Sequence, residues 1–247
     1  QSLISLHQMM AWMRITTDLI EKPASKAVFG DYIDDKAQDA FYEQLLMEKN
    51  IPLTLVNYTI AKSFYYYILA DYKQALAFTE RSVPHLPAVL GLPEWPEHFI
   101  INCLSSLAIQ LEGHKLSEAQ LKAFKQSFKL LEIWSHESPF NYESKYLLAL
   151  AEYQLLNNNK PEAKQNFNKA LVSSQNAGMR SMTAIIYERI AAMYERDKEA
   201  ELAERNLNFA VLEYQDWGAI AKVHSLQRRY SFLEPTNAVK ESTKKQI

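Results

Sequence analysis

The chain contains a single cysteine, Cys103, among 247 residues. One thiol cannot form an intramolecular disulfide, which excludes the small secreted scaffolds that disulfides hold together. No apolar run approaches the roughly 20 residues that a membrane-spanning helix needs. Neither sign of charge is in excess, since 27 Lys and Arg face 29 Asp and Glu for a formal net charge of −2. This near-neutrality removes the electrostatic argument for binding nucleic acid or an anionic membrane.

Glycine is also scarce, and its scarcity excludes several kinds of catalytic loop. The five glycines are scattered, so neither the phosphate-binding loop G-x-x-x-x-G-K-[ST] nor G-x-G-x-x-G is present. The protein-kinase signatures, which begin with a Gly-rich loop, are missing for the same reason. The six histidines never pair with each other or with a carboxylate at the spacing of metal ligands. We therefore expect no catalytic residue, no cofactor and no metal site in this chain.

The hydrophobic pattern has the period of an α-helix throughout. Between His98 and Leu111 the apolar residues recur at steps of three and four, which makes one stripe along a helix. Ser117 and Gln120 have the spacing of a capping box at the start of the next helix. Alternation with a period of two is absent, which predicts an all-α protein. The predicted helices span 2–20, 35–48, 52–69, 72–83, 97–111, 117–135, 142–156, 161–175, 180–195, 199–215 and 219–230.

Three of the predicted helix pairs can be superposed as an internal repeat. Ala75, Ala163 and Ala203 occupy equivalent positions, at intervals of 88 and 40 residues. Ala163-x3-Phe167-x2-Ala170 is similar to the tetratricopeptide (TPR) pattern, although the usual TPR period is about 34 residues and HEAT-type repeats are nearer 40–47. We expect residues 1–233 to form one TPR-like α-solenoid, a right-handed superhelical array of antiparallel helix pairs. Residues 234–247 are polar and without period, which is typical of a tail or linker.

The order of these motifs resembles a particular family. FYYYILADYKQAL at 64–76, the Pro-rich stretch around Trp95, the run 144–170, and Trp217 followed by Lys222, Val223 and Leu226 are similar to the helical-repeat segment of large bacterial multidomain signalling proteins. In that family a protein-kinase-like domain and a signalling (STAND-type) ATPase precede the segment, and a GAF sensor and a histidine kinase follow it. The resemblance implies a cytoplasmic regulatory segment whose catalytic domains lie elsewhere in the parent chain. Gln at position 1 and the polar tail are what we expect of such a segment.

The first helix of each pair in a solenoid lines its concave side, and this face is the candidate binding surface. Such a groove suits a peptide or a partner helix, being aromatic and apolar at one end and acidic at the other. The alternative is that the first two helices or neighbouring modules fill it. The residues of this predicted face are Asn57, Ile60, Phe64, Tyr67, Lys145, Leu148, Glu152, Leu155, Ile185, Glu188, Ala192 and Glu195.

Four further features have a structural and a functional interpretation, and we favour the structural one for most of them. Cys103 lies on an apolar stripe, which favours a buried, inert thiol. Trp95 is either a loop anchor packed on a helix or an exposed recognition residue, and we favour the anchor. Consecutive helical residues point about 100° apart, so we expect Tyr66 in the core and Tyr67 on a face that can meet a ligand. The fourth feature is a group of lysines that alternate with an apolar stripe, which favours a solvated face; they are Lys115, Lys122, Lys125 and Lys129.

From the sequence we predict a non-catalytic helical-repeat domain that regulates a multidomain bacterial signal-transduction kinase or ATPase through protein contacts. Its partner is a protein or peptide, including neighbouring domains of the same chain, with no nucleic acid and no membrane. The alternative is a self-contained peptide-sensing TPR regulator or scaffold. ATPase and kinase motifs encoded upstream favour the first interpretation, and a DNA-binding helix-turn-helix favours the second.

Overall fold

The computed structural model describes residues 51–233, together with Leu19, Gln44 and Glu48, which are helical. The rest of the helices predicted at 2–20 and 35–48, the connection between them and the tail 234–247 lie outside the described residues. Within 51–233 the structure consists of helices and turns, without a strand, which confirms the all-α prediction. In this part of the chain no helix is both long enough and apolar enough to cross a membrane.

Nine α-helices and one 3₁₀ segment follow one another within residues 51–233, and the predicted bounds of these α-helices are correct to within three residues. The 3₁₀ segment, Val83–Val89, was not predicted. Pro84 and Pro87 explain it, because each removes a backbone donor that a continuing α-helix would need. The α-helices are α1 (Pro52–Ile68), α2 (Tyr72–Ser82), α3 (Glu94–Leu111), α4 (Glu118–Glu137), α5 (Pro139–Leu156), α6 (Lys160–Asn176), α7 (Arg180–Arg196), α8 (Ala200–Trp217) and α9 (Ile220–Arg229).

Two helices begin three residues earlier than the sequence pattern indicated. Helix α5 begins at Pro139 rather than at residue 142, since proline at the first helical position lacks only a donor that would have no partner there. Helix α3 begins at Glu94, so Trp95 lies in its first turn and not in a loop. The predicted capping box of α4 is confirmed: the amide of Ser117 donates to the Gln120 side chain at 2.9 Å, and the amide of Gln120 donates to the Ser117 hydroxyl at 3.2 Å.

The chain divides into two compact units, Gln1–Gly178 and Met179–Ile247. In the first unit, α1 to α6 pack so that each helix is antiparallel to the next. The pair α5–α6 shows this at both of its ends. Asn166 donates to Gln154 at 2.8 Å beside the turn, and Ser173 donates to Glu143 at 2.7 Å far from it. Helix α3 also contacts α1 and α5, so the first helices of successive pairs are neighbours within this unit.

The same tight turn joins the two helices in three of the pairs. Its middle residue, Ala70, Asn158 or Lys198, has φ near +60°, a conformation that is unusual for residues other than glycine. In all three turns successive amides donate to the carbonyls four, three and five residues earlier, at 2.9–3.2 Å. The turns are 88 and 40 residues apart, the intervals seen in the sequence. A repeated helix–turn–helix unit is therefore present in the described residues.

The small residues of the repeat lie in the second helix of each pair, close to the turn. Ala75, Ala163 and Ala203 each come five residues after the middle of the turn and are buried. A larger side chain at these positions would hold the helices apart, since close-packed interiors have little spare volume. Phe167, which is 1% exposed, lies four residues after Ala163 and three before Ala170, so the three buried residues share one side of α6.

The second unit contains a helix pair and a short closing helix. Arg180 donates to Asp216 at 2.6 Å, and the rings of Tyr187 and Phe209 have centroids 5.2 Å apart, so α7 and α8 run antiparallel. Helix α9 contacts α8, and its apolar residues Val223 and Leu226 are buried. Gly218, with φ of 90°, ends α8 in the left-handed conformation that glycine adopts without a steric cost.

Candidate interaction surface

On α1 the predicted binding face is mostly buried. Asn57, Ile60 and Tyr67 are at most 3% exposed, and Phe64 is half-buried. Helix α1 is buried on all sides over residues 54–63, as is typical of a core helix. The spacing of these residues predicts that they share one side of the helix, but spacing alone could not show that this side is covered. Its role in binding stays a prediction.

The three adjacent tyrosines do not form a stacking platform. Tyr66 packs against the core cluster of Leu55, Tyr58 and Phe78, and its ring is stacked on that of Phe78 at 5.4 Å. Tyr66 is thus half-buried against the core cluster rather than enclosed within it. Tyr67, expected on an accessible face, is 3% exposed and packs against Tyr72 at 5.5 Å.

On α5 the four predicted residues divide into two buried and two half-buried side chains. Leu148 and Glu152 are at most 1% exposed, whereas Lys145 and Leu155 are half-buried.

Burial raises the pKa of the Cys103 thiol, and the charge of nearby Glu152 raises it further. The thiol is therefore protonated at neutral pH and buried, as the sequence predicted.

Lys145 belongs to a small polar cluster between α3 and α5. Its ammonium lies 5.3 Å from the centroid of the Tyr142 ring, at a distance typical of a cation–π contact. Burial raises the pKa of Glu97, and the charge of Lys145 partly offsets that rise. The pKa of Tyr142 is raised by burial and by the charge of Glu97. The charge of Lys145 thus offsets part of the cost of burying the Glu97 carboxylate.

On α7 the predicted acidic residues accept hydrogen bonds from α8 and from the C-terminal part of the unit. Ile185 is buried and Ala192 is half-buried, whereas Glu195 is exposed and accepts from the Tyr230 hydroxyl at 3.1 Å. Burial and this hydrogen bond raise the pKa of Tyr230. The Glu188 side chain is only 14% exposed and accepts from two partners.

Glu188 forms a buried ion pair that the sequence analysis missed. Lys222 of α9, 2% exposed, places its ammonium 2.6 Å from Oε1 of Glu188, and the Tyr214 hydroxyl donates to Oε2 at 2.8 Å. Burial lowers the pKa of Lys222, Glu188 raises it in part, and the charges of Arg189 and Arg229 lower it. The available signal was that Lys222 precedes Val223 and lies four residues before Leu226, on the apolar face of a short helix. A lysine at such a position needs a buried acid.

A buried serine–histidine contact lies between α2 and α3. The Ser82 hydroxyl lies 2.7 Å from the carbonyl of Thr79, to which it can donate, and it forms a hydrogen bond of 2.7 Å with Nδ1 of His98. Burial lowers the pKa of His98 to about 4, which keeps the ring neutral. The contact is a structural hydrogen bond, and it continues the buried polar layer in which Asn102 joins Thr79 to Ser127.

The structure also shows the surroundings of Trp95 and of the four clustered lysines. Trp95 packs with Phe99, at 5.2 Å between centroids, against a core cluster that Trp134 also contacts, which supports the anchor interpretation. The four lysines at 115, 122, 125 and 129 are exposed, as expected of a solvated face. Among the described residues no group of three or more His, Cys, Asp or Glu side chains is placed to hold a metal ion.

The structure thus leaves part of the predicted face accessible in each unit: Lys145 and Leu155 on α5, and Glu195 on α7.

Comparison of the chain with protein-family models, with curated proteins and with solved structures gives no match.

Proposed function

We propose that this chain is a non-catalytic helical-repeat domain that regulates a multidomain bacterial signal-transduction kinase or ATPase in the cytoplasm. Its helix pairs stack as a right-handed, TPR-like α-solenoid, and its partners are neighbouring modules of the parent chain or another protein. The observation that carries the proposal is the turn at Ala70, Asn158 and Lys198, which recurs with the same conformation and the same three hydrogen bonds. Repeated pairs of this kind form extended surfaces rather than one enclosed site.

The proposed mechanism is a change of curvature. Each pair contributes a small displacement relative to the next, and a partner that binds one curvature better shifts the equilibrium by its difference in affinity. The accessible part of the first-helix face is the surface that senses this change. Tyr67 and Glu188 act as core residues that keep each pair rigid.

The test measures binding of separately produced parent-chain modules to the full chain carrying paired substitutions. Lys145→Ala with Leu155→Ala alters the half-buried part of α5, and Lys169→Ala with Val172→Ala makes a matched change on the exposed side of α6. We expect the α5 variant to lose most of the module binding and the α6 variant to keep it. Equal binding by both variants would exclude the first-helix face.

The parent gene provides a second test of the regulatory role. The proposal expects ATPase and kinase motifs upstream of this segment. A DNA-binding helix-turn-helix in their place would instead support a self-contained peptide-sensing regulator.

A further inference from the structure

The end of α9 departs from the helical repeat at one serine. The turn into α9 resembles the turn into α7, since Gly178 and Gly218 both have positive φ and are 40 residues apart. Helix α7 then continues for 17 residues, whereas α9 stops at Arg229 after 10. Ser231 is therefore exposed in a turn, while Ala191, the residue 40 positions earlier, is buried within α7. Where the repeat has a buried helical residue, this position presents a hydroxyl.

Ser231 lies at the corner of a tight turn. The amide of Leu233 donates to the carbonyl of Tyr230 at 3.1 Å, so Ser231 and Phe232 are the two central residues of the turn. Both are exposed, whereas Leu233 is buried and anchors the end of the turn. Within the described part of the chain the Ser231 hydroxyl has no hydrogen-bond partner. An enzyme can therefore reach this oxygen without breaking a contact of the side chain.

Two exposed arginines precede this serine. Arg228 and Arg229 lie three and two residues before Ser231, and the sequence contains no other pair of adjacent arginines. Arginine forms bidentate hydrogen bonds with carboxylates, so the pair is a handle for an enzyme whose cleft is acidic. Protein kinases select their substrates by charge patterns of this kind.

The chain offers one comparison for this spacing within residues 51–233. Thr183 also follows an arginine, Arg180, by three residues. Thr183 is 2% exposed, however, and its hydroxyl donates to the carbonyl of Met179 at 3.2 Å. The spacing alone does not distinguish the two hydroxyls, but the fold exposes Ser231 and buries Thr183.

We propose that Ser231 is a phosphorylation site for a serine kinase whose substrate cleft is acidic. In that reaction the Ser231 oxygen attacks the γ-phosphorus of ATP, the bond from this phosphorus to the bridging oxygen breaks, and the hydroxyl proton passes to the base of the kinase. The products are phosphoserine and ADP. The site goes beyond the regulatory function proposed above and does not depend on it, because the kinase recognises residues 228–231 and not the first-helix face.

The phosphate acts on the contact that holds this end of α9 to α7. The Tyr230 hydroxyl donates to Glu195 of α7 at 3.1 Å, and the guanidinium of Arg229 lies 5.2 Å from the Tyr230 ring centroid. A phosphate adds about −1.5 to −2 charges. One residue after Tyr230, this charge repels the Glu195 carboxylate, attracts Arg229 away from the ring and opposes the dipole at the C-terminal end of the helix. Phosphorylation therefore loosens residues 230–233 from α7.

The test treats the full chain with Mg-ATP and a purified kinase that selects serines preceded by arginine at the second and third positions. We expect one phosphate per chain, located on Ser231 by tandem mass spectrometry, and none on Thr183. Arg228→Ala should slow the reaction about tenfold or more, since it removes charge-assisted hydrogen bonds to the kinase. Arg205→Ala is the matched control, because it removes an exposed arginine from α8, and it should leave the rate unchanged.

A peptide of residues 226–233 separates recognition from accessibility. The peptide should be phosphorylated on Ser231, and Arg228→Ala should slow its reaction by the same factor, with no contribution from folding. A kinase that modifies the peptide but not the folded chain would show that the fold does not present Ser231, and this would overturn the proposal. Equal rates for wild type and Arg228→Ala, or modification of neither the chain nor the peptide, would overturn it as well.

Hydrogen exchange of the phosphorylated chain tests the effect on α9. The amides of Tyr230 and Leu233 should exchange faster than in the unmodified chain, because the segment is held less tightly to α7. The amides of α2 around Lys73 should exchange equally in both forms. Unchanged exchange at Tyr230 and Leu233 would overturn the proposed loosening.

Discussion

The buried pair between Lys222 and Glu188 gives the sharpest stability prediction. Lys222 is 2% exposed, whereas the Glu188 side chain is 14% exposed and also accepts from Tyr214. Replacing Glu188 by Gln leaves a buried ammonium without its acid, and Arg229 and Arg189 add positive charge around it. Removing one member of a buried pair costs about 3–5 kcal/mol. The stability cost of Glu188→Gln cannot exceed about 5 kcal/mol. That is the free energy needed at pH 7 to remove the proton from an amine of pKa ~10.5, after which Lys222 carries no charge.

The reverse substitution should cost less. In Lys222→Met the Glu188 carboxylate keeps the Tyr214 hydrogen bond and some contact with water, so we expect about 1–2 kcal/mol, nearer the net value of one hydrogen bond to a charged group. Substituting both residues, Lys222→Met with Glu188→Leu, should be close to neutral because no charge is left buried. Glu213→Gln is the control, since its pair with Arg180 is longer, at 3.8 Å, and more exposed. Exposed pairs contribute at most about 1 kcal/mol.

The assay is amide hydrogen exchange of the full chain, followed in the α9 segment, which reports local opening as well as unfolding. In Glu188→Gln the pKa of Lys222, already lowered in the wild type, falls further below its unfolded value, so the unfolded state binds more protons. Stability of this variant should then rise from pH 7 toward pH 9. If Glu188→Gln costs less than Lys222→Met, or no more than Glu213→Gln, the ion pair does not hold α9.

Three further predictions concern single positions. Burial lowers the pKa of His98 from 6.5 to about 4, so its contribution to stability is full above pH 6.5 and is lost as the pH decreases toward 4. Between pH 7 and pH 5 the free energy of unfolding in urea should therefore decrease by about 2 kcal/mol. This decrease should be absent from His98→Gln and retained in the exposed-site control His114→Gln. Ala70→Gly should stabilise the chain by about 0.5–1 kcal/mol because it relieves a φ of 62°. Ala123→Gly, in the interior of α4, should instead destabilise it by at least a similar amount, and a loss for both would refute the strain argument. Gly218→Ala should cost about 1 kcal/mol through its φ of 90° alone, because nothing lies within 4 Å of the added Cβ, and an unchanged urea midpoint would contradict this.

Helix positions and the repeat were predictable because both follow from local chemistry. The capping box at Ser117 and the period of the apolar residues fix where helices begin and which side they bury. The intervals between Ala75, Ala163 and Ala203 match those of the three turns because a small residue is needed wherever the same turn brings two helices close. The 3₁₀ segment was missed since its prolines indicated only an interruption.

Burial of the predicted binding face was not predictable, because it depends on residues distant in sequence. Tyr67 and Phe64 share a face by spacing, yet only the packing of other elements decides which ring is covered. Glu188 was expected on an accessible acidic face, and its partner Lys222 lies 34 residues later on another helix. A pairing of that kind leaves only an indirect signal, a lysine among apolar residues.

Hydrogen exchange of this chain alone and within its parent protein tests the central claim most directly. If the first-helix face binds neighbouring modules, the amides of α5 and α7 around Lys145, Leu155 and Glu195 should exchange more slowly in the parent protein. The exposed side of α6 around Lys169 should exchange equally in both. Identical exchange in α5 and α7 under the two conditions would contradict the proposal that this helical-repeat domain acts through contacts with other modules.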